Sequence, residues 1–317
     1  MLRQEAADRL RALIAEELRQ PLWGAVEAMA EAIRRRHGEA AATILFYGSC
    51  LRDRCDADRV MDFYVFPERY RDFHGRLLPA ALNALLPPNV YYIEAPFEGR
   101  TIRAKYAVVS LPALTRQTAR HAFLPPLWAR LAQPCALVHA RDAAVAARVA
   151  DALASAALTL LAECLPLMPP RFAPRQLWTR AFAETFRTEL RAERSNRPQL
   201  LYEAAAARYD RITRLALAEG ALPGCTVAGG ELVCVQSPAR RSRARLRWAA
   251  RRGAGRALHV LRLAKAAFTF SDGLDYILWK IGRHSGVMVE PTPWQRRHPL
   301  MAAPVLAWRL FRRGAFR

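Results

Sequence analysis

Two apolar runs joined by a short polar loop constrain this chain more than any other feature. The first, Ile44 to Tyr47, stops at Gly48-Ser49, and the second, Val60 to Val65, carries one acid near its start, Asp62. The segment reads as strand, turn, loop and strand, with Gly48 and Ser49 facing Asp62 at one end of a sheet. A glycine lets backbone approach a phosphate closely, N–H groups and a Ser hydroxyl bind phosphate oxygens, and a carboxylate holds Mg²⁺. That chemistry suits a nucleoside triphosphate, and the plain alternative is an ordinary strand-turn-strand.

The flanking sequence extends the sheet. Helical spacing over Glu5–Arg19 and about Trp23–Arg36 precedes the first strand. After the second strand comes a helical segment, about Pro67–Leu86, ended by Pro87-Pro88. Asn89–Glu94 and Thr101–Ser110 read as two further strands around a Glu98-Gly99-Arg100 turn, and Cys135–His139 as a last short one. The Cys50–Arg59 loop carries Arg52, Asp53, Arg54, Asp56 and Asp58. These either bridge one another in solvent or offer Arg52 or Arg54 to a triphosphate. Glu94 is a candidate second carboxylate near Asp62, the alternative being a solvent-facing strand residue. Lys105 is one of only three lysines, with Lys265 and Lys280, in a chain that otherwise uses arginine. A compact ammonium there serves a role a planar guanidinium does not, unless it merely snorkels from a strand end.

From Ala143 to Leu217 the sequence is nearly all helical, as Ala143–Leu165, Pro174–Arg191 and Pro198–Leu217, and Gly220–Cys234 shortens into turns with β-type residues before Ser237-Pro238 closes the folded part. The Ala143–Leu165 stretch is interrupted by Arg148, Asp151 and Glu163, so it reads as a core helix rather than a membrane span. Six cysteines show no metal-binding spacing and are expected as reduced thiols. The N-terminus mixes acids and bases without an apolar stretch, unlike a secretory signal.

A net charge of +21 predicts attraction to a polyanion. The charge concentrates late: Arg240, Arg241, Arg243, Arg245, Arg247, Arg251, Arg252 and Arg256 follow one another without an acid. Leu258–Gly282 then interleaves apolar and basic residues, and Pro299–Arg317 repeats the pattern with Trp308, Phe311 and Arg312. Such a segment suits an anionic membrane interface, while a solvated linker is the bland reading. No nucleic-acid-binding signature accompanies it, so no specific nucleic acid is expected.

The Gly-Ser turn and following acid resemble the polymerase-β-type nucleotidyltransferases, with Tyr64 where their second acid usually stands. A longer series of motifs resembles the mitochondrial-type CDP-diacylglycerol synthases, the translocator-assembly-and-maintenance family of phosphatidate cytidylyltransferases. Its Tyr-Gly-Ser-Gly, Leu-Asp-Phe and Val-Tyr-Tyr correspond to Tyr47-Gly48-Ser49-Cys50, Met61-Asp62-Phe63 and Val90-Tyr91-Tyr92. Gly99-Arg100-Thr101-Ile102, Lys105-Tyr106-Ala107-Val108-Val109-Ser110 and Ala129-Arg130-Leu131-Ala132-Gln133-Pro134 follow in the family's order. Phe186–Arg191 and Lys265–Thr269 match later motifs more loosely. The chain departs at Cys50, which replaces a glycine, at Glu189, which replaces an aspartate, and in a shorter Gly48–Asp62 loop.

The resemblance implies an α+β fold: a polymerase-β-like nucleotidyltransferase domain with a mixed sheet over residues 1–142. A mainly helical, winged-helix-like domain over 143–236 and a basic amphipathic, membrane-associating tail over 237–317 complete it. The implied reaction is CTP plus phosphatidate giving CDP-diacylglycerol and pyrophosphate, with Mg²⁺. Asp62 and Lys105 are the implied catalytic residues, and Tyr47, Gly48, Ser49, Tyr106 and Arg130 bind nucleotide. Asp62 and Glu94 hold metal, and Glu189, Arg191 and Lys265 contact lipid or phosphate. The expected setting is the bacterial cytoplasm, peripheral on the inner face of the cell membrane.

Overall fold

Strand alternation and helix capping divide the chain into its elements. The computed structural model describes residues 2–57, 59–189, 196–269, 278, 287, 289–297 and 299–312. Helices α1 (Leu2–Leu18) and α2 (Gly24–His37) precede β1 (Thr43–Tyr47), α3 (Ser49–Asp53) and β2 (Val60–Phe66). Next come α4 (Tyr70–His74), α5 (Leu77–Leu85), β3 (Asn89–Phe97), β4 (Arg100–Val108), α6 (Leu111–Thr118), α7 (Pro126–Leu131) and β5 (Cys135–Ala140). Then follow α8 (Ala143–Cys164), β6 (Arg171–Phe172), α9 (Pro174–Phe186), α10 (Arg197–Glu203), α11 (Ala206–Ala218), β7 (Cys225–Ala228) and β8 (Glu231–Cys234). The long α12 (Pro238–Thr269) leads to α13 (Pro293–Arg297) and α14 (Pro299–Arg312).

Five strands form one sheet in the order β3-β4-β2-β1-β5. The β2–β4 pair is parallel and the other pairs are antiparallel, so the fold is α+β with a mixed sheet. Two expected helices are each broken in two. Gly75, at φ 61°, ends α4 before α5 begins, and Ala204-Ala205 separates α10 from α11. The loop expected from Cys50 starts instead as the short helix α3.

Each face of the sheet has its own core, because neighbouring residues on a strand point to opposite sides. Ile44, Phe46, Phe63, Val65, Ala104 and Tyr106 pack on Val26, Met29 and Ile33 of α2. Leu45, Tyr64, Phe66 and Ala107 belong to a second cluster that continues through Leu158, Trp178 and Tyr209 to Trp248. This cluster therefore includes residues on both sides of position 142. Its axis is α8, begun by the Asp142 carboxylate accepting from Val145 N–H at 2.8 Å. By length and composition α8 passes for a membrane span, yet most of it is buried within the protein. Burial of each large aliphatic side chain there contributes about 1.5–3 kcal/mol.

Two expectations need correction. Cys225 and Cys234 are not reduced thiols: they sit opposite each other on the β7–β8 hairpin and form a disulfide. Nor does the packed structure end at Pro238. Ala244, Trp248, Arg251 and Gly255 recur at helical spacing and are buried, which lays α12 along the rest of the fold. Trp248 donates to Glu163 O at 3.0 Å, and Arg251 reaches Glu163 Oε2 at 2.8 Å while lying 4.8 Å from the Trp248 ring centroid. The basic character remains on the outer side, where Arg240, Arg243, Arg245 and Arg256 are exposed.

Candidate active site

Register brings the expected residues to one sheet end. Tyr47 pairs with Asp62 across β1–β2, and Asp62 pairs with Lys105 across β2–β4, so all three project from the same face. Beyond Tyr47 the chain turns at Gly48, with φ 92° and ψ −158°, and enters α3 at Ser49. A Cβ at Gly48 would stand 3.0 Å from Asp62 Oδ2, so only glycine brings this backbone so close to the acid. Lys105 Nζ lies 3.3 Å from the other carboxylate oxygen.

These groups border a cleft of about 510 Å³. Tyr47, Gly48, Ser49, Asp62, Lys105, Arg130 and Glu189 all line it. Val90 and Ala107 continue the lining two residues deeper along the strands, in one row with buried Tyr64. The Tyr47 and Tyr64 rings stack with centroids 4.7 Å apart. Burial, reinforced by Tyr64 and Asp62, pushes the Tyr47 phenol well above its ordinary pKa and keeps it a neutral donor. Arg130 of α7 grips both oxygens of Glu189, at 3.1 and 3.3 Å. Four cationic side chains, Arg52, Lys105, Arg130 and Arg197, face two carboxylates in the lining, a balance suited to a polyanion.

Three expected residues are placed elsewhere, and one lies outside the described residues. Tyr106 follows Lys105 directly, so strand alternation turns it to the opposite face. There it is fully buried and hydrogen-bonded to His37 Nε2 at 2.9 Å. Glu94 stands on β3 with β4 between it and β2, opposite Arg103 rather than Lys105. It accepts from Tyr92 OH at 2.7 Å and Arg103 Nε at 3.1 Å, so it is no partner for Asp62. Lys265 reaches the rim but spends its ammonium on backbone, donating to the carbonyls of Leu86 and Pro88. Arg191 lies outside the described residues.

The loop charges divide as salt bridging requires: Arg59 and Arg52 bind Asp53, and Arg100 binds Asp56. Arg52 still faces the cleft, and Arg54 lines a smaller adjoining recess. Cys50 tucks inward and donates to Val60 O at 3.6 Å. Burial pushes its pKa up to about 11, so it packs the turn and is not a reactive thiolate. Sequence reasoning did not single out Thr185 or Arg197 as lining residues, and Gln133, within the Arg130 motif, was given no role. Thr185 and Arg197 stand in segments that fold over the sheet from far along the chain.

Among the described residues no group of three His, Cys, Asp or Glu side chains stands ready for a metal ion. One carboxylate with an oxygen turned toward the Gly48 turn fits Mg²⁺ carried in on phosphates, since Mg²⁺ commonly takes one or two carboxylates and fills its shell with phosphate and water. Compared with known proteins, the chain matches no family model and no curated relative.

Proposed function

We propose that this cleft transfers a cytidylyl group from CTP to phosphatidate, giving CDP-diacylglycerol and pyrophosphate, on a polymerase-β-like nucleotidyltransferase fold. The observation carrying the reading is the Gly48 turn, which runs so close to Asp62 that an added Cβ would stand 3.0 Å from its carboxylate, at the mouth of a cationic cleft. Gly48 N–H and Ser49 hold the outer phosphates, and Tyr47 donates from the floor. Asp62 would hold Mg²⁺, which when bound offsets charge on the triphosphate and on departing pyrophosphate. Lys105, beside Asp62, neutralises the phosphate under attack. An oxygen of the acceptor's phosphate forms the new bond to the α-phosphorus, and the bond from that phosphorus to the β-phosphate oxygen breaks. A phosphate monoester is already ionised at neutral pH, so no strong general base is required. Among the described residues of the cleft lining there is no histidine, in keeping with that.

The substrate's location gives the exposed basic and aromatic surfaces a role. Phosphatidate lies in a leaflet, and the outer arginines of α12 with Trp308, Arg309, Phe311 and Arg312 of α14 suit an anionic bilayer. The reading therefore places the protein on the inner face of a bacterial cell membrane. Purified protein incubated with labelled CTP, Mg²⁺ and phosphatidate liposomes is expected to yield lipid-linked CMP. No such product over a range of lipid and metal conditions rejects the reading. Activity seen only with another phosphorylated acceptor keeps the chemistry and replaces the substrate.

A further inference from the structure

Three contacts fix where the middle of α12 passes. A Cβ on Gly255 would stand 2.5 Å from Thr188 O, so the helix crosses directly over the turn that carries Glu189. Upstream, Arg252 Nη1 reaches Glu184 Oε2 at 3.3 Å. Downstream, Lys265 donates to Pro88 O at 2.9 Å, and Pro88 lines the cleft. Arg262 lies between these anchors, one turn before Lys265 and on the same side of the helix. It sits within electrostatic reach of Tyr64, Arg130 and Glu189. Its Nε is buried without a hydrogen-bond partner. A buried guanidinium N–H left unsatisfied costs stability, and burial accordingly pushes the Arg262 pKa down.

We propose that Arg262 and Arg130 form a two-guanidinium clamp for the acceptor's phosphate monoester, so that α12 supplies the acceptor half of the cleft. The clamp rests on the cytidylyltransferase reading for its role, though not for its binding chemistry. Arg130 and Arg262 are both within electrostatic reach of Tyr64, which lies two residues along β2 from Asp62, or roughly 7 Å at strand spacing. That separation puts a second phosphate next to one held at Asp62. A monoester dianion matches two forked cations, and guanidinium binds phosphate through paired N–H donors. Glu189, bonded to Arg130, offsets part of the repulsion between the two arginines. No atom beyond those of the proposed transfer is needed: the clamped phosphate contributes the attacking oxygen, and pyrophosphate leaves from the Asp62 side.

The test compares the full chain with Arg262→Gln and Arg262→Lys. Calorimetry with dihexanoyl phosphatidate below its micellar concentration reads acceptor binding without turnover, and MgCTP in separate titrations reads nucleotide binding. Expected is at least a tenfold loss of phosphatidate affinity in Arg262→Gln, partial recovery in Arg262→Lys, and MgCTP affinity within twofold throughout. Arg262→Gln should melt at or above the wild-type temperature, because an unsatisfied buried N–H has been removed; a purely structural arginine would give the opposite shift. Glycerol 3-phosphate run alongside shows whether the headgroup suffices, and Arg262-dependent binding of either compound supports the clamp. Phosphatidate affinity within twofold in Arg262→Gln, with MgCTP still binding, overturns the clamp alone. Arg262-dependent phosphatidate binding in a protein that ignores MgCTP leaves the clamp and removes the nucleotide reading.

Discussion

Replacing Gly48 by alanine tests the core of the site with a single methyl group. At φ 92° and ψ −158° the backbone lies in a region that is essentially reserved for glycine, where a side chain costs about 1–3 kcal/mol. The new Cβ would also stand 3.0 Å from Asp62 Oδ2 and 3.3 Å from Asp62 Cβ, closer than ordinary contact. Either the turn or the carboxylate must give by several tenths of an ångström. Misplacement of a reacting group by about 1 Å costs on the order of a hundredfold in rate. Gly48→Ala is therefore expected to lose about 1–3 kcal/mol in urea unfolding and tenfold to a hundredfold in lipid-linked CMP formation. Gly75→Ala is the control: it too has positive φ, at 61°, but nothing lies within 4 Å of its added Cβ. It should lose stability and keep its rate. Wild-type stability and turnover in Gly48→Ala would refute the close approach of this turn to Asp62.

Three further outcomes follow from the same structure. Asp62→Asn should lower turnover about a hundredfold or more, whereas Glu94→Gln should stay within twofold; steady-state rates of the pair measure whether metal ligation rests on Asp62 without Glu94. His37 and His74 are each held at about 4, mainly by burial, with Arg36 adding to the shift at His37 and Lys265 at His74. The unfolded chain protonates them near 6.5, so their contribution is complete above that pH and is lost as pH falls toward 4; urea midpoints should drop across this window, less so in His37→Gln. Trp308 and Phe311 are each more than 60% exposed beside Arg309 and Arg312, so Trp308→Asp with Phe311→Asp should cut sedimentation with anionic vesicles on the order of tenfold; unchanged sedimentation counts against docking through α14.

How far the sequence reaches depends on whether a residue's place is set locally. Gly48 directly follows β1, Asp62 lies in β2 and Lys105 in β4, and strand pairing brings them together. Parity on β4 separates Lys105 from Tyr106, a fact already implicit in their adjacency, so only one of them faces the cleft. Glu94 shares that face, but which strand lies between it and Asp62 is a matter of sheet order, and no short motif encodes sheet order. The arginine run misleads for a physical reason: charge normally marks a solvated surface, whereas Arg251 is fully buried, bridging Glu163 and stacking on Trp248. The disulfide had a quieter sign, since Cys225 and Cys234 are equidistant from the Gly229-Gly230 turn.

The path of α12 also bears on when the protein becomes whole during its synthesis. Glu163 and Glu184 are largely buried, and arginines of α12 neutralise both. A nascent chain that has emerged only to residue 237 leaves Glu163 without Arg247 and Arg251 and without the cover of Trp248. It also lacks the wall that crosses Thr188 and reaches Pro88. At about 5–20 residues per second, α12 follows within a few seconds. On the proposed reading, the nucleotide end of the cleft then stands ready before the acceptor end, so the two halves of the site are born in sequence and joined by α12.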